Sequence, residues 1–75
     1  MKDILMVIAR ALVDNPDDVK VTEKEDERGT VLELNVHPDD MGKVIGKQGR
    51  IANAMRTVIK AAATREHKKV SVEIV

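Results

Sequence analysis

Residues 40–50 decide the fold, and they run Asp40-Met41-Gly42-Lys43-Val44-Ile45-Gly46-Lys47-Gln48-Gly49-Arg50. A helix that begins at the preceding His37-Pro38 can continue only to about Ile45, because the glycines at 46 and 49 break it and permit a tight reversal. Neither glycine carries a Cβ, so a ligand backbone can approach the loop closely. The amides of Gly49 and Arg50 are expected to be free, at the partly positive N-terminus of the next helix. The stretch therefore predicts a helix-loop-helix unit suited to an anionic ligand.

The charges of the chain are segregated although they sum to zero. Residues 1–40 contain five Lys/Arg and eleven Asp/Glu, whereas residues 41–75 contain eight Lys/Arg and two Asp/Glu. Between Met41 and Arg65 there are six basic residues and no acidic residue. This concentration of positive charge around a glycine loop favours a phosphate backbone as the ligand.

Apolar residues at helical spacing predict two further helices. The first ends before Pro16, because proline disfavours helical geometry in the residue before it. Its buried face is expected to comprise Ile4, Ile8, Ala11 and Leu12, widened by Leu5 and Ala9. The long helix is expected over residues 49–65, with a buried stripe of Ile51, Met55, Val58, Ile59 and Ala62.

Alternating apolar and polar residues predict three strands, each with one apolar face. They are expected at 19–24, 32–36 and 70–74, with a charged turn at 25–29 between the first two. The element order is then α-β-β-α-α-β. We predict a single α+β domain over residues 1–75, in which a three-stranded mixed sheet carries three helices on one face.

The composition excludes several classes of protein. The chain has 75 residues and is 43% hydrophobic, but it contains no aromatic residue and no cysteine. A disulfide framework and a thiolate metal site are therefore excluded. No apolar run approaches the roughly 18 residues of a membrane span, and the N-terminus lacks a signal-peptide pattern. A cytoplasmic protein without membrane contact is expected.

The glycine spacing does not match a nucleotide-binding P-loop. That motif requires four residues between its glycines and a hydroxyl residue after the lysine. Here three residues separate Gly42 from Gly46, and Gln48 follows Lys47. From the spacing alone, a purely structural connection between two helices remains open.

Catalytic and metal sites are not predicted. The carboxylate pairs Asp17/Asp18 and Asp39/Asp40 each adjoin a proline, where helix starts explain them. The two histidines, His37 and His67, lack neighbouring ligand partners. No cofactor and no enzymatic activity are expected.

The segment Val44-Ile45-Gly46-Lys47-Gln48-Gly49 resembles the core of the KH domain, a binder of single-stranded RNA or DNA with a GXXG loop. The predicted element order is similar to the type II, bacterial arrangement of that domain. Over residues 40–50, in a chain of this size, the sequence resembles the KhpA (YlqC) family of small bacterial KH proteins. The resemblance spans essentially the whole chain.

The resemblance implies a groove for about four nucleotides of single-stranded RNA, with single-stranded DNA as the alternative ligand. Together with the charges, it gives these candidate RNA-binding residues: Gly42, Lys43, Ile45, Gly46, Lys47, Gln48, Gly49, Arg50, Ala52, Asn53 and Arg56. A solvated helix face is the alternative for the last two. KH domains in general favour a bulky aliphatic residue where this chain has Ala52, which implies a shallower groove. With no aromatic residue to stack on a base, weak and sequence-tolerant binding is expected.

A second stripe on the long helix is compatible with close helix packing, and it comprises Ala54, Val58, Ala61 and Arg65. KhpA-like proteins form homodimers and also pair with a larger KhpB (Jag)-like KH protein, so the resemblance implies one of these two assemblies. An alanine-rich solvated face is the alternative.

The expected function is non-enzymatic binding of single-stranded RNA, as an RNA chaperone or post-transcriptional regulator. Two alternatives remain open at this point. One is a protein-interaction module whose nucleic-acid groove is vestigial. The other is a ribosome-assembly-associated factor.

Overall fold

The structure, a computed structural model, describes all 75 residues. Its helices are α1 (Lys2–Leu12), α2 (Met41–Ile45) and α3 (Arg50–Arg65), and its strands are β1 (Lys20–Asp26), β2 (Gly29–Asn35) and β3 (Val70–Ile74). Single 3₁₀ turns cover Pro16–Asp18, Pro38–Asp40 and Lys47–Gly49. The predicted order of elements is confirmed. None of the helices is both long enough and apolar enough to cross a bilayer.

The three strands form one mixed sheet in the order β1-β2-β3. The first pair is antiparallel and the second pair is parallel. A parallel pair needs a crossover, and here α2, the glycine loop and α3 supply it. Since β3 is an edge strand, its outer edge is open beside the helix that precedes it.

One face of the sheet is buried under the helices. The side chains of Leu32, Leu34 and Val72 are at most 6% exposed, whereas Ser71 and Glu73, on either side of Val72, are solvent-exposed. The core contains eleven residues, namely Leu5, Ala9, Val19, Val21, Leu32, Leu34, Val36, Val44, Met55, Ile59 and Val72. The predicted α+β architecture is therefore confirmed.

The prediction for the buried face of α1 is wrong in part. Leu5 and Ala9 are completely buried, whereas Ile4 is 40% and Leu12 is 36% exposed. The helix is apolar on more than one side, so the spacing alone does not decide which side meets the sheet. The small side chain of Ala9 lets the helix backbone come close to the core.

The prediction for α3 also needs correction. Its buried residues are Ala52, Met55, Ile59 and Ala63, and the predicted core residue Val58 is 47% exposed. These buried residues are spaced three or four positions apart, with an alanine at each end. Val58 lies to one side of that line and remains available for another contact.

The connection between β1 and β2 is shorter than predicted. Asp26 pairs with Gly29, so only Glu27 and Arg28 form the turn. The charged residues at 23–26 are exposed strand positions, because the helices do not cover that end of the sheet. The charges at 25 and 26 therefore led to a predicted turn at positions that belong to β1.

Candidate nucleic-acid interface

The backbone of the loop between α2 and α3 requires its glycines. Gly46 has φ 75° and ψ 174°, and Gly49 has φ 74° in the left-handed region. A Cβ on Gly46 would lie 2.6 Å from Cγ1 of Ile51, so this position excludes a side chain for a second reason. Gln48 also has a positive φ, of 57°. The loop is therefore a compact turn with no side chain at its two glycine positions.

The two amides predicted to be free have partners inside the loop. The N–H of Gly49 donates to the carbonyl of Gly46 at 3.2 Å, and the N–H of Arg50 donates to the carbonyl of Lys47. The prediction of open amide donors at these positions is wrong, because the loop closes into a 3₁₀ turn. Positive charge at this site therefore comes mainly from side chains.

Two cations stand at the loop without an acidic partner. Lys47 is exposed and makes no ion pair or side-chain hydrogen bond, and Arg50 donates only to the side-chain carbonyl of Gln48, at 3.3 Å. Cations that no carboxylate neutralises can bind phosphate oxygens at little electrostatic cost. The predicted cations at 47 and 50 are therefore both exposed at the loop.

Arg56 and Asn53 form the next part of the same surface. The Nε of Arg56 donates to the carbonyl of Val72 on β3 at 3.3 Å, and its Nη1 donates to Oδ1 of Asn53 at 3.3 Å. Arg56 therefore bridges the exposed side of α3 and the open edge of β3. These two predicted residues therefore contact each other on α3, one to two turns beyond the glycine loop.

The apolar residues predicted for the groove differ in exposure. Ile45 is 37% exposed beside the loop, whereas Ala52 is only 4% exposed. A Cβ added at Gly42 would meet no atom within 4 Å, so the surface of α2 is open there. Ile45 consequently presents apolar surface to solvent beside the loop, whereas Ala52 is buried.

Lys43, a predicted RNA-binding residue, forms ion pairs within the protein. Its Nζ pairs with the carboxylate of Asp14 and lies 3.5 Å from Oδ1 of Asp40. The hydrogen bond to Asp14 raises the pKa of Lys43, and the charges of both carboxylates raise it further against the opposing effect of desolvation. Its charge is therefore already compensated within the protein.

Asp40 is the one buried polar residue, with 1% exposure, although its sequence context predicts only a helix start. Its carboxylate accepts hydrogen bonds from the amides of Asp14 (3.2 Å) and Asn15 (3.0 Å) and from Nδ2 of Asn15 (3.0 Å). Desolvation tends to raise the pKa of Asp40, but these hydrogen bonds and the charge of Lys43 outweigh it and lower the pKa. Through these hydrogen bonds, Asp40 links the α1–β1 connection to the start of α2. Its partners are 25 and 26 residues away, so no local pattern could reveal them.

A second surface lies on the other side of α3. An apolar groove of about 310 Å³ runs between α1 and α3, and its lining includes Ile8, Leu12, Ile51, Ala54 and Val58, with Arg50 at one end. Two of the predicted interface residues, Ala54 and Val58, lie in it. Ala61 and Arg65 are exposed but do not line it. The groove therefore overlaps one part of the predicted stripe, and the interface stays a prediction.

The α-β-β-α-α-β order, the parallel β2–β3 pair and the glycine loop between the crossover helices define a KH domain. The family model described as "KhpA/KhpB, KH domain" matches residues 2–74, and the chain belongs to this family.

Related proteins agree with this assignment. The chain is 63% identical over 75 residues to the RNA-binding protein KhpA of Clostridium acetobutylicum, covering all of both chains. It is 53% identical over 74 residues to the RNA-binding protein KhpA of Aquifex aeolicus, covering 99% of this chain and 94% of that one. The fold also matches a crystal structure of Aquifex aeolicus Era bound to GDP and an aluminium fluoride. That match has a TM-score of 0.61 at 19% identity, over 97% of this chain and 28% of the Era chain.

Proposed function

We propose that this protein binds single-stranded RNA without catalysing a reaction, and that it acts as an RNA chaperone or post-transcriptional regulator. The observation that carries the proposal is the glycine loop with its uncompensated cations, Lys47 and Arg50, continued by Arg56 along the edge of β3. The names of the KhpA relatives as RNA-binding proteins support the ligand class. The cytoplasmic location expected from the sequence stays a prediction.

The proposed mechanism relies on the sugar-phosphate backbone. Phosphates approach the loop where Gly46 and Gly49 carry no side chain, and the cations at 47, 50 and 56 neutralise them. Ile45 offers an apolar surface to one base face. Because no aromatic residue is available for stacking, the affinity should depend weakly on base sequence.

The salt dependence of binding tests this mechanism. With about three phosphate contacts, the slope of log K against log salt concentration should be near −2 on the single-strand coefficient. The measurement is fluorescence anisotropy of a labelled single-stranded RNA, titrated with the protein at several salt concentrations. A slope close to zero would contradict backbone capture by cations.

We further propose that the apolar groove between α1 and α3 is covered by a second copy of the chain. Val58 is 47% and Leu12 is 36% exposed at this groove, and Val7, which precedes the lining residue Ile8 on α1, is 68% exposed. Burying these side chains against a second copy would remove apolar area from water in a domain whose own core is small. A KhpB-like partner is the alternative occupant that the family resemblance implies.

Replacing Val58 with aspartate is expected to convert the dimer to a monomer of 8.3 kDa, because the charge would be buried in the interface. Sedimentation velocity measures the change. Thr22→Asp serves as the control, since it adds the same charge at an exposed position of β1 outside the groove, and this variant should keep the mass of the wild type. A monomeric wild type, or equal dissociation of both variants, would contradict a homodimer centred on the groove.

A further inference from the structure

A second pair of cations lies at the far end of β3 from the glycine loop. Arg28 in the β1–β2 turn and Lys69 in the α3–β3 connection line one open cavity of about 320 Å³. Thr30 and Ser71 add hydroxyl-bearing residues to its lining, and Asp26 is its one acidic residue. No sequence motif marks these two cations as a pair, because they belong to loops 41 positions apart in the chain (69 − 28).

Backbone contacts hold the two loops together at this cavity. The amide of Thr30 donates to the carbonyl of Lys69 at 2.9 Å. Gly29 adopts φ +132°, and a Cβ there would lie 2.5 Å from that same carbonyl oxygen. The turn that carries Arg28 therefore packs against the loop that carries Lys69, and both residues line the same cavity.

These two cations are uncompensated, although acids are nearby. Lys68 pairs with Glu66 at 3.7 Å, and Lys24 pairs with Glu33 at 3.2 Å, but neither Arg28 nor Lys69 forms an ion pair. The carboxylate of Asp26 accepts a hydrogen bond from the backbone amide of Arg28 at 2.7 Å, not from its side chain. Two like charges held near each other repel, and an anion between them would relieve that repulsion.

The cavity lies at the start of β3, on the N-terminal side of the residue that Arg56 contacts. Arg56 lies seven residues beyond Gly49 on α3, a rise of about 10 Å, and contacts the middle of β3 at Val72. Lys69 precedes Val72 by three residues, which adds about 10 Å along the strand. An RNA strand that follows β3 from Arg56 toward its first residue would therefore reach Lys69 and Arg28.

We propose that Arg28 and Lys69 form a second phosphate-binding site, which holds the part of an RNA strand that extends beyond the glycine-loop groove. This inference rests on the proposed function, because it assigns a longer path to the same ligand. It makes affinity depend on strand length. A strand that fills only the loop groove does not reach the second site, whereas a longer strand contacts both.

The test compares two labelled RNA strands, of about five and about 15 nucleotides, since the loop groove holds about four. In the variant Arg28→Glu/Lys69→Glu, the short strand should bind as it does to the wild type. The long strand should bind several-fold more weakly at low salt, and the slope of its log–log salt dependence should become shallower by about 1.4 for two lost phosphate contacts. Circular dichroism verifies that the variant is folded.

Two comparison variants separate the possible failures. Arg10→Glu/Lys20→Glu makes the same charge change on the β1 side of the molecule and should leave the affinity for both strands unchanged. Lys47→Asp/Gln48→Asp alters the loop and should weaken the binding of both strands. Equal binding of the long strand by Arg28→Glu/Lys69→Glu and by the wild type would overturn the second site while leaving the loop site intact. Failure of the wild type to bind either strand would overturn both proposals.

Discussion

Replacing Asp40 with alanine is expected to lower the midpoint of thermal unfolding by roughly 5–15 °C, because three hydrogen-bond donors lose their acceptor. The donors are the amides of Asp14 and Asn15 and the side chain of Asn15, all held at a carboxylate that is 1% exposed. The same substitution removes one of the two carboxylates beside Lys43. The loss should therefore affect both the α1–β1 connection and the start of α2.

The neighbouring residue supplies the control for this experiment. Asp39 has a side chain that is 85% exposed, and its backbone amide, which donates to Nδ1 of His37, is kept in an alanine variant. Asp39→Ala should therefore shift the midpoint by less than about 2 °C. Thermal unfolding followed by circular dichroism measures both variants. Similar shifts for Asp39→Ala and Asp40→Ala would argue against the buried hydrogen-bond network.

The contribution of Asp40 should also depend on pH. Its pKa lies below the ordinary value of 3.8 in the folded protein, so the folded state binds its proton less readily than the unfolded chain does. The stabilisation is then fully present above the ordinary pKa and is lost as the pH falls through the folded-state pKa. The difference in midpoint between wild type and Asp40→Ala should be constant near neutral pH and should shrink below about pH 4.

The features that local sequence determines were predicted well. Positions 46 and 49 adopt backbone conformations that favour glycine, and position 46 has no room for a Cβ. The two glycines were therefore enough to locate the loop in the sequence. Strand alternation likewise identified β2 and β3, since one face of each is covered and the other is open. The family of the chain followed from the loop and its flanking residues.

The features that depend on tertiary packing were not predictable in this way. Which side of α1 is buried depends on where the sheet lies. The sheet covers Leu5 and Ala9, so Ile4 and Leu12, which the spacing had assigned to the core, are partly exposed. The ion pairs of Lys43 join residues as many as 29 positions apart, so its proximity to the loop in sequence suggested a free cation. The contact of Arg56 with Val72 likewise required the crossover that places α3 beside β3.

The largest expected effect on binding comes from replacing Lys47 and Gln48 together with aspartate. Both residues are exposed at the tip of the loop, and Gln48 makes only one side-chain hydrogen bond, to Arg50. Aspartate tolerates the positive φ of position 48, so the fold should be retained. The substitution makes the loop more negative by about three charge units where phosphates would approach, and a loss of affinity of at least about tenfold at low salt is expected.

A matched variant shows whether the effect belongs to the loop. Lys20→Asp/Thr22→Asp makes the same change in charge on the open face of β1, the strand at the opposite edge of the sheet from β3. Its net charge equals that of the loop variant, so any general electrostatic effect on RNA should be the same for both. Circular dichroism should show native secondary structure for each protein.

RNA binding by the glycine loop can be measured by fluorescence anisotropy of a labelled single strand, at two salt concentrations. The titration compares the wild type with Lys47→Asp/Gln48→Asp and Lys20→Asp/Thr22→Asp. We predict binding by the wild type that weakens with salt, near-equal binding by the β1 variant and loss of binding by the loop variant. Equal binding by all three proteins, or none by the wild type, would contradict the claim that the glycine loop and its cations hold RNA.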